Sequence, residues 1–280
     1  MSKKKNTLLR NTSILMAATI ISRVIGLLYR SPLGETIGNE GLGYYSTASN
    51  LYTILLLISS YSIPMAVSKI VSERLALKEY RNAHRVFRGA LLYAVIVGGI
   101  AALVAFFGGK FLLPYNQQNA ILALRVLAPT IFFSAILGVL RGYFQAHSTM
   151  MPTSISQIIE QIFNAAFSIG AAWFFIQQFA TNDTERAKFG AAGGTLGTGA
   201  GVLAGLCFML LVYGVNRKSI LRKAAKDTRH REESYREIFQ VLFLMVTPVI
   251  FTTFIYNCNA YLDNYLSLPF SDGTAKTRKR

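Results

Sequence analysis

The chain has 280 residues, of which 52% are hydrophobic and only 15% charged, with a mean hydropathy of +0.38. Soluble domains carry about 25% charged residues, so a solvated globular protein is excluded and an all-α integral membrane protein is expected. The formal net charge of +16 does not point to nucleic acid, because the Lys and Arg residues sit in short segments between apolar runs rather than on one folded patch.

A helix crosses the hydrocarbon core with about 20 residues, and about seven runs in the chain meet that length. The first runs from Asn11 to Leu33. The basic start MSKKKNTLLR resembles a signal peptide, but the following run has no small-residue cleavage site and meets Arg23, so an uncleaved first helix is expected. The second run, Gly41 to Ser68, holds no charge, and the third spans Gly89 to Gly109. The fourth, Gln118 to Leu140, follows Pro114 and contains Arg125 and Pro129. The fifth is Thr153 to Phe179, the sixth Phe189 to Val215 and the seventh Ile238 to Tyr261. The expected organisation is a six-helix membrane lobe over residues 1–215, a basic loop over 216–237, the first helix of an incomplete second lobe over 238–266 and a basic tail over 267–280.

Basic residues favour the cytoplasm. Lys3, Lys4, Lys5 and Arg10 precede the first helix, six basic residues from Lys69 to Arg88 separate the second and third, Arg141 separates the fourth and fifth, and eight from Arg217 to Arg236 separate the sixth and seventh. Lys110, Arg186 and Lys188 fall on the other side. The pattern places the N-terminus inside and the end of the seventh helix outside. Lys276, Arg278, Lys279 and Arg280 would then be external, which reads either as a chain that stops early or as a naturally short tail.

Ionisable groups within a membrane are expensive and mark function by default. Arg23 lies twelve residues past Asn11, about 18 Å into the membrane and close to its middle. Arg30 follows seven residues later on the same face. Two guanidiniums on one face would hold a diphosphate through charge-assisted, bidentate hydrogen bonds. The competing readings are a structural carboxylate partner for Arg23 and a snorkelling Arg30.

The fifth run carries a polar stripe of Ser154, Gln157, Gln161, Asn164 and Ser168, with Glu160 beside it. Three- and four-residue steps make this one helical face, which must look at protein or water rather than lipid. It lines a hydrophilic cavity or hydrogen-bonds a neighbouring helix. Weaker polar signals occur at Ser46, Ser49, Asn50 and Thr53, at Ser62 with Pro64, and at Pro248, Thr253, Asn257, Asp263 and Asn264. Gly193, Gly197, Gly201 and Gly205 form a small-residue ridge that lets another helix approach closely. Cys207 and Cys258 fall in apolar runs and suggest neither a disulfide nor a metal site. His84, His147 and His230 are isolated, and neither a phosphate-binding loop nor a metal-ligand cluster is visible, so no cofactor and no enzyme chemistry are expected.

Three segments resemble one family in the right order. RGYFQAHSTMMPTSISQIIEQIF, Arg141 to Phe163, is similar to the fourth-to-fifth helix junction of MurJ- and SpoVB-like proteins of the MOP exporter superfamily. ISRVIGLLYRSPLG, Ile21 to Gly34, resembles their first helix, and SIPMAVSKIVSE, Ser62 to Glu73, the end of their second. The resemblance implies two six-helix MATE-like lobes around a cavity, in chains about twice this length. It also implies movement of lipid-linked sugars across the bacterial cytoplasmic membrane by alternating access. Ser22, Arg23 and Gly26 match the family's Ser-Arg-x-x-Gly motif, which implies a diphosphate-binding role for Arg23. Arg30 is one residue further from Arg23 than in proteobacterial MurJ, and Tyr44 and Tyr45 occupy the region of that branch's acidic residue.

The resulting expectation is a flippase for lipid II or another undecaprenyl-diphosphate-linked oligosaccharide. Its substrate would be bound by Arg23, Arg30, Gln157, Glu160, Gln161 and Asn164. Membrane lipid and a coupling cation are the other expected partners. The alternatives are a cation-coupled MATE-type exporter of small molecules, a polyprenyl-lipid transferase using Glu160 or Asp263, and a non-transporting remnant.

Overall fold

The computed structural model describes residues 2–113, 115–227, 232–248, 251–252 and 255. The described residues are almost all helical, and none of them forms a strand. In chain order they form α1 (Ser2–Leu28), α2 (Arg30–Leu56), a π turn (Leu57–Tyr61), α3 (Ile63–Ala76), α4 (Tyr80–Leu112), a 3-10 turn (Tyr115–Ala120), α5 (Ile121–Ala146), α6 (Met151–Phe179) and α7 (Asp183–Lys226). A further helical stretch covers residues 235–248. Apart from residues 251, 252 and 255, the rest of the expected seventh span, with Asn257 and Cys258, lies outside the described residues, as do Asp263, Asn264, His230 and the basic tail.

Among the described residues, four helices are long and apolar enough to cross a membrane, and five if the bent pair Ser13–Leu28 and Arg30–Leu56 counts as one span. The two parts of that pair are inclined to each other by 41°. A second break lies inside α2, at Gly38, whose φ of 73° and ψ of 175° belong to glycine alone. The Tyr29 and Tyr45 hydroxyls are 3.1 Å apart, whereas sixteen residues of continuous helix would separate them by about 24 Å. The chain therefore reverses at Gly38, and residues 39–56 start the second rod.

That rod continues through the π turn and α3 to Ala76, past the expected end at Ser68. Pro64 sits in the first turn of α3, and the π turn before it absorbs the backbone mismatch that a proline creates. α5 accommodates the proline with glycines. A Cβ at Gly142 would lie 2.5 Å from the Pro64 carbonyl oxygen, and one at Gly138 would lie 3.2 Å from the ring.

α7 has 44 residues, about 66 Å of helix against a hydrocarbon core of about 30 Å. Residues 216–226, expected as loop, continue it. The reason lies in the local sequence NRKSILRKAAK, which is rich in good helix formers. Asp183 and Glu185 in the first turn and Lys223 and Lys226 in the last complement the helix dipole.

Lipid is as apolar as leucine, so membrane helices associate through close packing rather than burial. The glycine ridge of α7 supplies it against α6. Cβ atoms at Gly193, Gly197 and Gly201 would lie 2.5, 2.1 and 2.4 Å from Ala171 O, Ser168 Oγ and Glu160 O. Two apolar clusters fill the remaining interior, one around Val67, Phe87, Leu140 and Tyr143, the other around Leu33, Tyr45, Leu124 and Ile131. Phe107, Phe111 and Leu211 face outward.

At the basic end, the segment after α7 is clasped to α3 and α4. Arg74 pairs with Glu233 at 2.7 Å, and Glu232 pairs with both Arg81 and Arg85. The Asn82 side-chain oxygen accepts from the Glu233 backbone N–H at 3.1 Å.

Candidate functional site

α1 and α6 run side by side in the same direction. Thr19 Oγ1 donates to Gln157 Oε1 at 3.4 Å, a Cβ at Gly26 would meet Gln161 Oε1 at 3.5 Å, and Asn164 Nδ2 donates to Tyr29 Oη at 3.4 Å. Beside these contacts lies an open cavity of about 600 Å³. All six expected site residues line it: Arg23 and Arg30 from the first rod, and Gln157, Glu160, Gln161 and Asn164 from α6.

Neither Arg23 nor Arg30 makes an ion pair among the described residues, and both side chains are exposed to the cavity. The structural-carboxylate reading of Arg23 therefore finds no partner there. Glu160 is engaged instead by Arg141, a residue expected in a loop. Arg141 Nη2 donates to Glu160 Oε2 at 2.7 Å and Arg141 Nε to Ser156 Oγ at 2.9 Å. Arg141 also lines the cavity. The wall thus presents three guanidiniums and one carboxylate, a surplus of two positive charges.

Asn164 differs from the two glutamines. It is buried, its amide donates to Tyr29, and its carbonyl oxygen accepts from Ser168 at 3.0 Å and Thr198 at 3.4 Å. Its hydrogen bonds tie α1, α6 and α7 together at the edge of the cavity. Ser22 Oγ is buried at the wall with no partner among the described residues. Ser46, Ser49, Asn50 and Thr53 do not line this cavity. Among the described residues there is no group of His, Cys, Asp and Glu able to hold a metal ion.

A family profile described as polysaccharide biosynthesis protein matches residues 8–271. The chain belongs to this family. Its relatives include the lipid II flippase MurJ of Bacillus subtilis, 26% identical over 91% of this chain and 48% of that protein. Stage V sporulation protein B of the same organism is 26% identical over 85% of this chain and 45% of its own length. The chain spans about half the length of these curated relatives. Among solved structures, a MATE protein in the straight conformation superposes with a TM-score of 0.70 at 16% identity, over 95% of this chain and 56% of that one. A MOP superfamily transporter from Pyrococcus furiosus, described by the reversed polarity of its binding pocket, gives 0.63 at 16% identity, over 86% and 52%. These likenesses agree with the family resemblance and identify a multi-pass membrane protein with a MATE-like helical fold.

Proposed function

We propose that this polysaccharide biosynthesis family member contributes the arginine-lined wall of a flippase for lipid II or another undecaprenyl-diphosphate-linked oligosaccharide. The transporter works by alternating access in the bacterial cytoplasmic membrane, with the N-terminus of this chain in the cytoplasm. The observation that carries the reading is the net positive, polar cavity at membrane depth, with Arg23 and Arg30 unpaired and facing it. Arg23 binds the diphosphate, Arg30 adds positive charge further along the same wall, and Gln157 and Gln161 meet the polar groups next to it. The names of the two Bacillus subtilis relatives support the same class of cargo. Arg23→Ala in the full-length protein, reconstituted in liposomes, abolishes flipping of the lipid-linked sugar while folding is retained; undiminished flipping overturns the reading.

The cation-coupled small-molecule exporter on the same fold is disfavoured by a surplus of positive charge where a cationic drug would sit. Dye efflux by the unaltered protein, lost in Arg23→Ala, would favour it instead. A transferase would need a free carboxylate at the cavity, and Glu160 is held by Arg141.

A further inference from the structure

Arg23 and Arg30 both line the cavity, yet the helix register sets them apart. Arg23 lies between Thr19 and Gly26, which face Gln157 and Gln161. It is therefore level with residues 157–161 of α6. Arg30 follows the Tyr29–Asn164 contact and lies across the bend. Seven residues of helix separate the two Cα atoms by about 10 Å, several times the spacing of the two phosphorus atoms in a diphosphate. Arg141 is at the right level: its guanidinium is bonded to Ser156 and Glu160.

The Arg141 contacts also look exchangeable in chemical terms. A bidentate arginine–carboxylate pair uses two parallel N–H donors on two oxygens. Here one nitrogen, Nη2, reaches one oxygen of Glu160, and Nε is on a neutral hydroxyl. The pair is incompletely desolvated, with 15% of the Arg141 side chain and 23% of the Glu160 side chain exposed. A phosphate oxygen arriving in the cavity can compete with Glu160 Oε2 for Arg141 Nη2.

We propose that Arg23 and Arg141 together form the diphosphate clamp, and that Glu160 is the displaceable counter-ion holding Arg141 when the site is empty. The inference rests on the reading of the cavity as a diphosphate site and deepens it. Each phosphate of a diphosphate diester carries one negative charge at neutral pH, so the ligand matches the cavity's surplus of two positive charges with Glu160 still ionised. Displacement leaves Glu160 without its guanidinium partner while cargo is bound. That unfavourable state limits affinity and drives release, as a transporter requires.

The test is binding of farnesyl diphosphate to the detergent-purified protein, with farnesol as the control lacking phosphate. Glu160→Gln removes the competitor and leaves Arg141 in place, so affinity rises about tenfold. The double variant Arg141→Met with Glu160→Gln removes both charges and leaves neither buried alone; affinity falls about tenfold below the unaltered protein. A merely structural ion pair predicts the opposite for Glu160→Gln, a lower unfolding temperature with unchanged or weaker binding. Unchanged or weaker binding by a folded Glu160→Gln protein, or undiminished binding by the folded double variant, overturns the clamp. Arg23→Ala separates the two levels: if it loses affinity while Glu160→Gln gains none, the diphosphate site stands and the counter-ion role falls. If Arg23→Ala binds as well as the unaltered protein, or if that protein does not bind the probe, the diphosphate site itself falls and the clamp with it.

Discussion

Gly201→Ala tests the link between helix packing and the cavity. The added Cβ would lie 2.4 Å from the Glu160 carbonyl oxygen and 3.1 Å from Asn164 Cβ. Unstrained contacts of this kind begin near 3.5 Å, so α6 must retreat by about 1 Å at the turn that carries the cavity residues. Overpacking of this size costs about 1–3 kcal/mol. Alanine returns up to about 1 kcal/mol over glycine in a helix, which leaves a net loss of up to about 2 kcal/mol. At about 2–4 °C per kcal/mol, the unfolding midpoint in detergent falls by up to about 8 °C. Gly214 is the internal control: it lies on the same helix with nothing within 4 Å of a Cβ. Gly214→Ala therefore gains the helix propensity without the clash, and its midpoint holds or rises. Equal midpoints for the two variants, or a stabilised Gly201→Ala, would refute the close-packed α6–α7 interface and the placement of Glu160 that depends on it.

Three further outcomes follow from single features. Gly38→Ala forces a Cβ into a conformation with φ of 73° that has open space around it; the cost is backbone strain alone, on the order of 1–3 kcal/mol, and an unshifted midpoint would contradict the chain reversal there. Glu233→Gln breaks the 2.7 Å pair with Arg74, whose side chain is only 19% exposed; the loss is about 1 kcal/mol in dilute buffer and shrinks in about 1 M salt, so a salt-independent loss would argue against the clasp. His147, between α5 and α6, is held below its ordinary value of 6.5 by burial, reinforced by Lys223 and opposed by its hydrogen bond to the Tyr143 carbonyl. The neutral ring is the favoured folded form, so stability is fully present above about pH 6.5 and is lost as the pH falls through the depressed folded value. Midpoints measured between pH 8 and pH 5 should fall less in His147→Gln, and an identical fall would refute this assignment, with pH 8 and pH 5 bracketing roughly the histidine range.

Much of the architecture was legible because lipid imposes length and composition on a spanning helix. The fifth expected run, Thr153 to Phe179, differs from α6 by two residues at one end. The reversal at Gly38 falls in the expected connection between the first run, which ends at Leu33, and the second, which begins at Gly41. The helix continues past Leu33 because Leu33 and Ile37 still pack inward, and the Gly38–Asn39 pair marks the turn. The extension of α7 to Lys226 was hidden because charge was read as loop, although basic residues are good helix formers once outside the hydrocarbon. The six cavity residues were legible as two polar faces on separate helices, each unable to face lipid. Arg141 was not. It falls one residue beyond the expected end at Leu140, whereas α5 continues to Ala146 and turns it inward. Glu160 beside the stripe was the available signal, since a carboxylate at that depth calls for a cation on a neighbouring helix.

The polar stripe of α6 serves two ends, and the turn of the first rod that it meets decides which. From Gln157 to Gln161 the face looks into the cavity, where Arg23 and Arg141 are on hand. From Asn164 onward the same face is consumed by protein. Asn164 takes the Tyr29 hydroxyl, the Tyr29 hydroxyl meets that of Tyr45, and Ser168 is buried against α7, 2.8 Å from the Gly194 carbonyl. Tyr29 follows the last residue of α1, and its hydroxyl on Asn164 closes the cavity at that end. Cavity and floor are therefore built by one helix face meeting first the Arg23 turn and then the Tyr29 turn of the first rod. A substitution at Tyr29 that removes the hydroxyl, such as Tyr29→Phe, leaves the buried Asn164 amide without its acceptor. It should cost about 1–3 kcal/mol while leaving Arg23 and Arg141 level with each other.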